Sequence, residues 1–204
     1  MNEDKVLERL RSMMGAGNRV IVAVAGAPGS GKSTLAESLV QALGPVAAIL
    51  PMDGYHLDNA ILDARGLRAR KGAPQTFAAD RLLEDLARLR RDDAPVLVPV
   101  FDRRLDLSRG FAREIGIEQR VIVVEGNYLL LDVAPWDGLA PFFDLTLFLD
   151  VPESTLAERL VQRWLDHGHD APAARARAEG NDLPNARQVI AQSRPADMVI
   201  RAQA

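Results

Sequence analysis

Apolar residues along the chain follow two alternating patterns. Short continuous apolar runs, typical of strands buried in a parallel sheet, occupy residues 19–24, 46–50, 96–101, 121–124, 145–149 and 198–200. Between most of these runs the apolar residues recur at helical spacing, most clearly at 79–89, where they form a single stripe. Because strands alternate with helices, we predict an α/β fold with a parallel sheet covered on both faces. In such folds ligands bind beyond the carboxyl ends of the strands.

Three further helices and one irregular segment complete the predicted organisation. Helical spacing of apolar residues predicts helices within residues 6–14, 34–43 and 153–165. Residues 171–178 are rich in alanine and arginine, contain Pro172 and precede Gly180. Because proline and glycine interrupt regular structure, we predict a mobile excursion at 171–178.

Composition excludes several classes of protein. The 204 residues, 48% hydrophobic and 26% charged, suffice for one domain with a sizeable core. Lysine plus arginine number 25 against 28 acidic residues, without the basic excess of proteins that bind nucleic acid non-specifically. With no cysteine, the chain has no disulfide, thiolate nucleophile or Cys-ligated zinc. No apolar segment approaches the roughly 20 residues of a membrane span, and the acidic start is unlike a signal peptide. We therefore expect a cytoplasmic protein with no membrane or nucleic-acid partner.

The strongest motif is a glycine-rich loop at residues 26–33, Gly-Ala-Pro-Gly-Ser-Gly-Lys-Ser, which matches G-x-x-x-x-G-K-[ST] between a predicted strand and a predicted helix. Its glycines let backbone N–H groups surround phosphate oxygens, and the helix N-terminus adds partial positive charge. Lys32 would hold the β- and γ-phosphates, and Ser33 would bind Mg²⁺. We expect ATP-phosphate contacts from Gly26, Ala27, Gly29, Ser30, Gly31, Lys32, Ser33 and Thr34. The alternative is a glycine turn beside a surface lysine.

A second acidic group at the same edge is Glu125, which ends a predicted strand. It could hold Mg²⁺ or orient the acceptor hydroxyl, with Asn127 and Tyr128 just beyond it as further acceptor contacts. The alternative is a solvated acid at the end of a strand. Asp150 ends another strand and competes for the metal role, although its position suits the start of the next helix better.

Asp53 follows the predicted strand 46–50. It therefore lies at the carboxyl edge of the sheet, where its carboxylate could face the γ-phosphate of ATP. A carboxylate there can accept the proton of an attacking hydroxyl. An Asx turn with Gly54 is the alternative. Tyr55 and His56 follow, and His56 is expected to donate a hydrogen bond to the acceptor or to be merely structural.

Two basic segments could bind the acceptor. The first holds Arg65, Arg68, Arg70 and Lys71 and is equally well explained as a solvated face or as a site for an anionic acceptor. In the second, Asp102 and Arg103 close the apolar run 96–101 and could contact the acceptor, with an internal ion pair as the alternative.

Arg159 and Arg163 are four residues apart on the helix after Pro152 and share one of its faces. Arginines at this spacing could close over phosphates as a lid and stabilise the transferring charge, or could belong to a solvated face. His167 and His169 lie close together, but no nearby spacing supplies the further ligands of a metal site, and we assign them no metal.

Together these motifs resemble the P-loop kinases of the phosphoribulokinase, uridine kinase and pantothenate kinase superfamily. The likeness is greatest to bacterial kinase-like proteins assigned to fructose transport systems. It spans about residues 20 to 200 and rests on 26–33, 52–56, 99–103, 125–132, Arg159, Arg163, Asn181, Asp182 and Asn185.

The resemblance implies a three-layer α/β/α P-loop fold with a five-stranded parallel core sheet and a helical lid, forming a single kinase domain over 1–204. It implies ATP and Mg²⁺ as cofactors, with Lys32, Asp53 as the base, and Arg163 as catalytic residues. We expect an N-terminal helix at 1–17, a core at 20–150 with acceptor segments 53–76 and 101–118, a lid at 152–180, and a C-terminal helix and strand at 181–204.

The expected function is transfer of the γ-phosphoryl group of ATP to a hydroxyl of a small metabolite, by a monomer or homodimer. A sugar, a nucleoside and a pantothenate-like alcohol all remain open as acceptors, because the residues around Asp53 differ from those of uridine kinases, and pantothenate kinases match only Asp53 and Gly54. The alternatives are a GTPase-type switch and a nucleotide-binding regulator without acceptor phosphorylation. Residues 63–66 fit the D-x-x-G pattern of switches, but none of the three lysines lies in an N-K-x-D motif.

Overall fold

The computed structural model describes residues 3–15 and 19–201. Its helices are α1 (Glu3–Met14), α2 (Lys32–Leu43), α3 (Asn59–Ala64), α4 (Ala79–Arg91), α5 (Glu153–Asp166), α6 (Ala171–Arg177) and α7 (Leu183–Gln192). Its strands are β1 (Val20–Gly26), β2 (Ala47–Pro51), β3 (Val96–Asp102), β4 (Leu107–Ile115), β5 (Val121–Gly126), β6 (Leu145–Asp150) and β7 (Met198–Arg201). Short 3₁₀ turns lie at Gly44–Val46, Met52–Tyr55, Arg68–Arg70, Pro74–Thr76 and Trp136–Phe142, and a π-helical turn at Ala178–Asp182.

Five parallel strands form the central sheet in the order β2-β5-β1-β6-β7, which confirms the predicted parallel core. Glu125 pairs with Val24 on one side and with Pro51 on the other. The carboxyl ends of β1, β2 and β5 therefore meet at one edge of the sheet. This edge brings together the segments that the sequence singles out.

Helices cover both faces of the sheet because β1 and β5 are buried on both sides and alternate their side chains between two cores. One core joins Ile21 and Ala23 of β1 to the apolar stripe of α4, as the sequence predicts. The other joins Val20, Val22 and Val24 to apolar residues of α1 and α2. The result is the expected three-layer arrangement.

The apolar run 96–101 does not join the parallel sheet, contrary to the prediction. It forms β3, which pairs antiparallel with β4 in a separate two-stranded hairpin. Val96 and Val98 are buried while Leu97 between them is 42% exposed. This alternation is that of a strand with one solvated face. β4 escapes prediction because residues 107–115 contain no continuous apolar run and nearly all of them are exposed or partly exposed.

The prediction of an excursion at 171–178 is wrong, because residues 171–177 form α6 and Ala178 begins the π-helical turn. The Asp170 carboxylate accepts a hydrogen bond from the Ala173 backbone N–H at 2.8 Å and caps the helix. Pro172 lies in the first turn of the helix. Backbone N–H groups there have no carbonyl partner within the helix, so a proline costs no hydrogen bond. Ala174 and Ala178 are buried, so the alanine-rich face supplies packing rather than flexibility.

Both ends of the described chain carry regular structure. Helix α1 lies within residues 1–17, and α7 and β7 lie within residues 181–204. The parts of these two predicted ranges that fall on 1–2, 16–17 and 202–204 lie outside the described residues. No helix in the described part of the chain is long and apolar enough to cross a membrane.

Candidate active site

The glycine-rich loop joins β1 to α2, as the motif requires. Gly29 and Gly31 have φ of 81° and 95°, in the left-handed region that favours glycine. Gly31 stands at the N-cap of α2 and supplies no capping side chain, so the first N–H groups of the helix are left for a ligand. A Cβ on Gly31 would meet no atom within 4 Å, so the loop opens outward there. This geometry fits a phosphate group.

The side chain of Lys32 folds back into the glycine-rich loop and is fixed there by a hydrogen bond. Its Nζ donates to the carbonyl oxygen of Ala27 at 2.9 Å, and the residue is only 7% exposed. Burial lowers the pKa of Lys32 to about 8, against the opposing effect of the Glu125 and Asp53 carboxylates. A buried ammonium close to two carboxylates and a helix N-terminus is well placed to bind polyphosphate.

The Ser33 hydroxyl donates to Oε2 of Glu125 at 3.1 Å. Glu125 is 8% exposed, and burial, followed by the Asp53 charge, raises its pKa. These two oxygen ligands suit Mg²⁺, which commonly binds one or two protein groups and completes its shell with phosphates and water. No group of three or more acidic, histidine or cysteine side chains that could hold a metal occurs within residues 3–15 and 19–201.

Asp53 lies in the 3₁₀ turn after β2, and close contacts at two glycines, Gly54 in the turn and Gly126 at the end of β5, fix its position. A Cβ on Gly54 would overlap the carbonyl oxygen of Pro99, and one on Gly126 would overlap the Met52 side chain. The turn is thus pressed between β3 and the end of β5. Arg103, just beyond β3, donates from Nη2 to Oδ2 of Asp53 at 3.0 Å.

A cleft of about 220 Å³ opens between the N-terminal part of α2, the end of β2 and the β3–β4 hairpin. It is lined by Ser33, Glu37, Ile49, Pro51, Asp53, Val100, Phe101, Arg103, Arg113 and Glu125. The cleft is smaller than the roughly 300–1,000 Å³ of pockets for drug-sized ligands, so it suits a small molecule. Candidate base, candidate metal ligands and two arginines therefore share one cavity.

His56 stabilises the turn that contains Asp53 by a hydrogen bond and by ring packing. Its Nδ1 donates to the Asp53 carbonyl oxygen at 2.8 Å, and its ring lies 4.0 Å from that of Phe77 and 4.7 Å from that of Phe101. Burial lowers the pKa of His56, which favours the neutral ring. The structural alternative for His56 is the one that these contacts support.

Neither tyrosine predicted to bind the acceptor reaches the cleft. The Tyr55 hydroxyl donates to Oδ2 of Asp85 at 2.9 Å, and the Tyr128 hydroxyl donates to the Gly72 carbonyl oxygen at 2.6 Å. Both rings lie in the core under α4, and burial raises the pKa of both. The large aromatic rings find more apolar contact inside than at the polar edge. Asn127 remains half-buried at the end of β5.

Asp102 shapes the hairpin rather than the cleft. Its Oδ1 accepts hydrogen bonds from the backbone N–H groups of Arg104 and Leu105, both at 3.1 Å, and Oδ2 lies 4.0 Å from Nε of Arg109. This is the internal pairing that the sequence leaves open as the alternative. The carboxylate closes the turn that presents Arg103 to Asp53.

Helix α5 lies against the glycine-rich loop. Arg159 donates from Nη1 to the Gly29 carbonyl oxygen at 3.2 Å, and Leu160 packs beside the same glycine. Arg163 is exposed one turn further on, with its guanidinium 5.5 Å from the centre of the Trp164 ring, and its charge acts to lower the pKa of Lys32. Both arginines therefore lie on the side of the site formed by the glycine-rich loop.

Comparisons with known proteins agree with this geometry. A sequence model described as an AAA domain matches residues 21–181, more than half of the chain. The chain belongs to this family of P-loop kinases. The crystal structure of a candidate fructose transport system kinase from Silicibacter sp. TM1040 matches this P-loop kinase with a TM-score of 0.92 and 44% identity, over 98% of this chain and 99% of that one.

Two sequence relatives extend the comparison. Protein YggC of Escherichia coli (strain K12) is 37% identical over an alignment of 187 residues that covers 89% of this chain and 77% of the relative. A candidate uridine kinase of Schizosaccharomyces pombe is 34% identical over an alignment of 197 residues that covers 89% of this chain and 83% of the relative. The match therefore covers most of the P-loop kinase and most of each relative.

The basic segment after α3 has partners within the P-loop kinase itself. Arg68 pairs with Asp63 at 2.9 Å, and Lys71 pairs with Asp106 at 2.8 Å. Arg70 donates to the Gly180 carbonyl oxygen and to Asn185, which joins this segment to the π-helical turn.

Asp150, the competing metal candidate, lies 3.5 Å from Arg201, and the N-cap of α5 is Pro152.

Sequence reasoning missed part of the cleft in this P-loop kinase. Glu37 lies four residues after Ser33, so helical spacing could have placed both on one face. Val100 and Phe101 were seen only as strand residues. Arg113 lies within the predicted acceptor segment 101–118, but nothing in the sequence singles it out there, because it reaches the cleft through a hairpin that the apolar pattern does not predict.

Proposed function

We propose that this P-loop kinase transfers the γ-phosphoryl group of ATP to a hydroxyl group of a small acceptor bound in the cleft. The observation that carries the proposal is the meeting of Asp53 with the Ser33–Glu125 pair in one cavity beside Lys32. The kinase names of two relatives support a small-molecule acceptor. Neither name fixes the acceptor of this chain.

Asp53 accepts the proton of the acceptor hydroxyl in the proposed reaction. As the hydroxyl oxygen forms its bond to the γ-phosphorus, the bond from that phosphorus to the β–γ bridging oxygen breaks and ADP leaves. Lys32 and the backbone N–H groups of the glycine-rich loop hold the phosphates in place. Arg163 stabilises charge on the transferring group from the side of α5.

Ser33 and Glu125 are the residues that would hold Mg²⁺. The ion would supply positive charge against the charge of the β- and γ-phosphate oxygens. Without it, the raised pKa of Glu125 reflects a buried carboxylate close to Asp53. A cation at this place would relieve that repulsion, which is why the donor set fits the ion.

The proposal is tested by measuring ADP release from purified protein with Mg·ATP and a panel of sugars, nucleosides, pantothenate and small hydroxy acids. The Lys32→Ala variant serves as the blank. We expect one acceptor class to raise ADP release above the blank, with one phosphorylated acceptor formed per ADP. Binding of ATP with no phosphorylated product from any acceptor would favour a nucleotide-binding regulator instead.

A further inference from the structure

Arg113 is a basic residue of the cleft that the proposed reaction does not use. It lies on β4 and is partly buried, and its Nη1 donates to the carbonyl oxygen of Ile49 at 2.7 Å. This hydrogen bond fixes one edge of the guanidinium against β2. The side chain also lines the cleft that holds Asp53 and Glu125.

The charges of the cleft leave Arg113 without an acidic partner. Asp53 is paired with Arg103, and Glu125 accepts from Ser33. Glu37 lines the cleft too, but among residues 3–15 and 19–201 no carboxylate lies within ion-pair distance of Arg113. A partly buried guanidinium is stabilised when an anion meets it, because burial removes water that would otherwise solvate the charge.

The place of Arg113 in the sheet separates it from the phosphate loop. Ile49 pairs with Val123, and Val123 pairs with Val22 of β1. Neighbouring strands lie about 4.8 Å apart, so the anchor of Arg113 is roughly 10 Å from β1, the strand that leads into the loop. Lys32 follows the loop after β1, whereas Arg113 is anchored on β2, two strands away in the sheet.

We propose that Arg113 binds an acidic group, a carboxylate or a phosphate, carried by the acceptor. The inference rests on the proposed function for the identity of the cleft as the acceptor site. A guanidinium offers a planar pair of N–H donors that matches both kinds of anion. The acceptor class is then a small hydroxy acid or a phosphorylated polyol, with its reacting hydroxyl at Asp53 and its anion at Arg113.

Binding of inorganic phosphate to protein saturated with Mg·AMP-PNP tests the inference without turnover. Bound Mg·AMP-PNP occupies the phosphate loop. Whether Mg·AMP-PNP binds at all tests the proposed function, independently of the role of Arg113. Calorimetry should then find phosphate binding that weakens at least about tenfold in Arg113→Gln, as expected for a lost charge-assisted contact. Arg109→Gln, an exposed arginine of the same strand outside the cleft, should bind as wild type does.

Arg113→Lys separates a lost charge from a damaged fold, because it keeps the charge and should recover part of the phosphate affinity. Phosphate that binds equally well to Arg113→Gln would overturn the inference. Phosphate that fails to bind to the wild type would exclude a phosphorylated acceptor, and the carboxylate acceptors below then decide the inference.

Pairs of acceptors, one with an acidic group and one without it, identify which anion Arg113 binds. The pairs are glycerate with glycerol, pantothenate with pantothenol, and fructose 6-phosphate with fructose. We expect the acidic member of at least one pair to be preferred about tenfold or more in kcat/KM, and Arg113→Gln to remove that preference. Equal use of neutral and acidic members, unchanged in the variant, would refute the inference while leaving the kinase activity in place.

Discussion

The guanidinium of Arg103 donates to the carboxylate of Asp53 at 3.0 Å, across the gap between the β3–β4 hairpin and the end of β2. Arg103 is 62% exposed in its side chain and Asp53 29%. An ion pair with so much solvent contact contributes little to stability. The pair can therefore orient the carboxylate and still exchange partners when an acceptor enters the cleft.

Arg103→Gln should impair use of the acceptor without unfolding the protein. We expect kcat/KM for the acceptor to fall by about three- to tenfold, because Asp53 loses the donor that orients it. The free energy of unfolding should change by less than about 1 kcal/mol, as for other exposed ion pairs. Arg104→Gln, at the next position and outside the cleft, is the matched control. Equal losses in the two variants would argue against a role for the pair.

Nucleotide affinity should depend on pH through Lys32. Its pKa, lowered by burial to about 8, means that the free site loses the ammonium charge as pH rises through that value. Phosphates favour the charged form, so Mg·AMP-PNP should bind more weakly above pH 8, by up to about tenfold per pH unit. Lys32→Ala should lose this dependence, and Lys71→Ala should retain it. A flat profile in the wild type would show that Lys32 stays charged throughout.

The same titration affects the stability of the nucleotide-free protein. The folded-state pKa of Lys32 lies below the ordinary value of 10.5, so between about pH 8 and that value the unfolded chain holds a proton that the folded chain has released. The contribution of Lys32 to the free energy of unfolding therefore rises with pH across this window. Denaturant unfolding of wild type and Lys32→Ala at several pH values measures it, and parallel curves would contradict the expectation.

Glu125→Gln should weaken Mg²⁺ use rather than nucleotide binding. The variant keeps the shape of the side chain but removes the charge that a hard cation prefers. We expect the Mg²⁺ concentration for half-maximal activity to rise about tenfold or more. Asp150→Asn tests the competing strand-end acid and should leave the Mg²⁺ dependence unchanged. The opposite ranking of the two variants would move the metal site to β6.

The pattern of the sequence predicts the parallel sheet well and the acceptor side poorly. Strands buried on both faces leave continuous apolar runs, and the phosphate loop is local, so both can be found along the chain. The hairpin depends on pairing 96–102 with a strand that has no continuous apolar run, and such pairing leaves no local signal.

Single residues show the same limit. The sequence can place Asp53 and Glu125 at the edge of the sheet because each follows a recognisable strand, and both line the cleft. It cannot place Tyr55 and Tyr128, because adjacency in sequence does not tell which way a side chain turns once the strand has ended. Their hydroxyl partners, Asp85 and Gly72, lie 30 and 56 residues away along the chain. Arg113 lies in the predicted acceptor segment 101–118, but the sequence does not single it out, because the apolar pattern does not predict the hairpin strand that carries it.

The two arginines of α5 should differ in their effects. Arg163→Ala should lower kcat by roughly a hundredfold, the cost of one donor to a developing charge. Arg159 already donates to the Gly29 carbonyl oxygen, so Arg159→Ala should act mainly on nucleotide affinity. Arg187→Ala, which removes an exposed ion pair with Glu153 at the start of α5, is the control. A wild-type kcat in Arg163→Ala would remove this residue from the reaction.

Asp53→Asn tests the central assignment most directly. Nucleotide affinity and phosphoryl transfer are measured side by side, with the acceptor that gives ADP release in the wild type. We predict that Mg·AMP-PNP binds within about twofold of wild type, while transfer falls by at least about 10²-fold because the hydroxyl proton has no acceptor. Asp63→Asn, an exposed carboxylate outside the cleft, should behave as wild type. Transfer at the wild-type rate in Asp53→Asn would show that Asp53 is not the base.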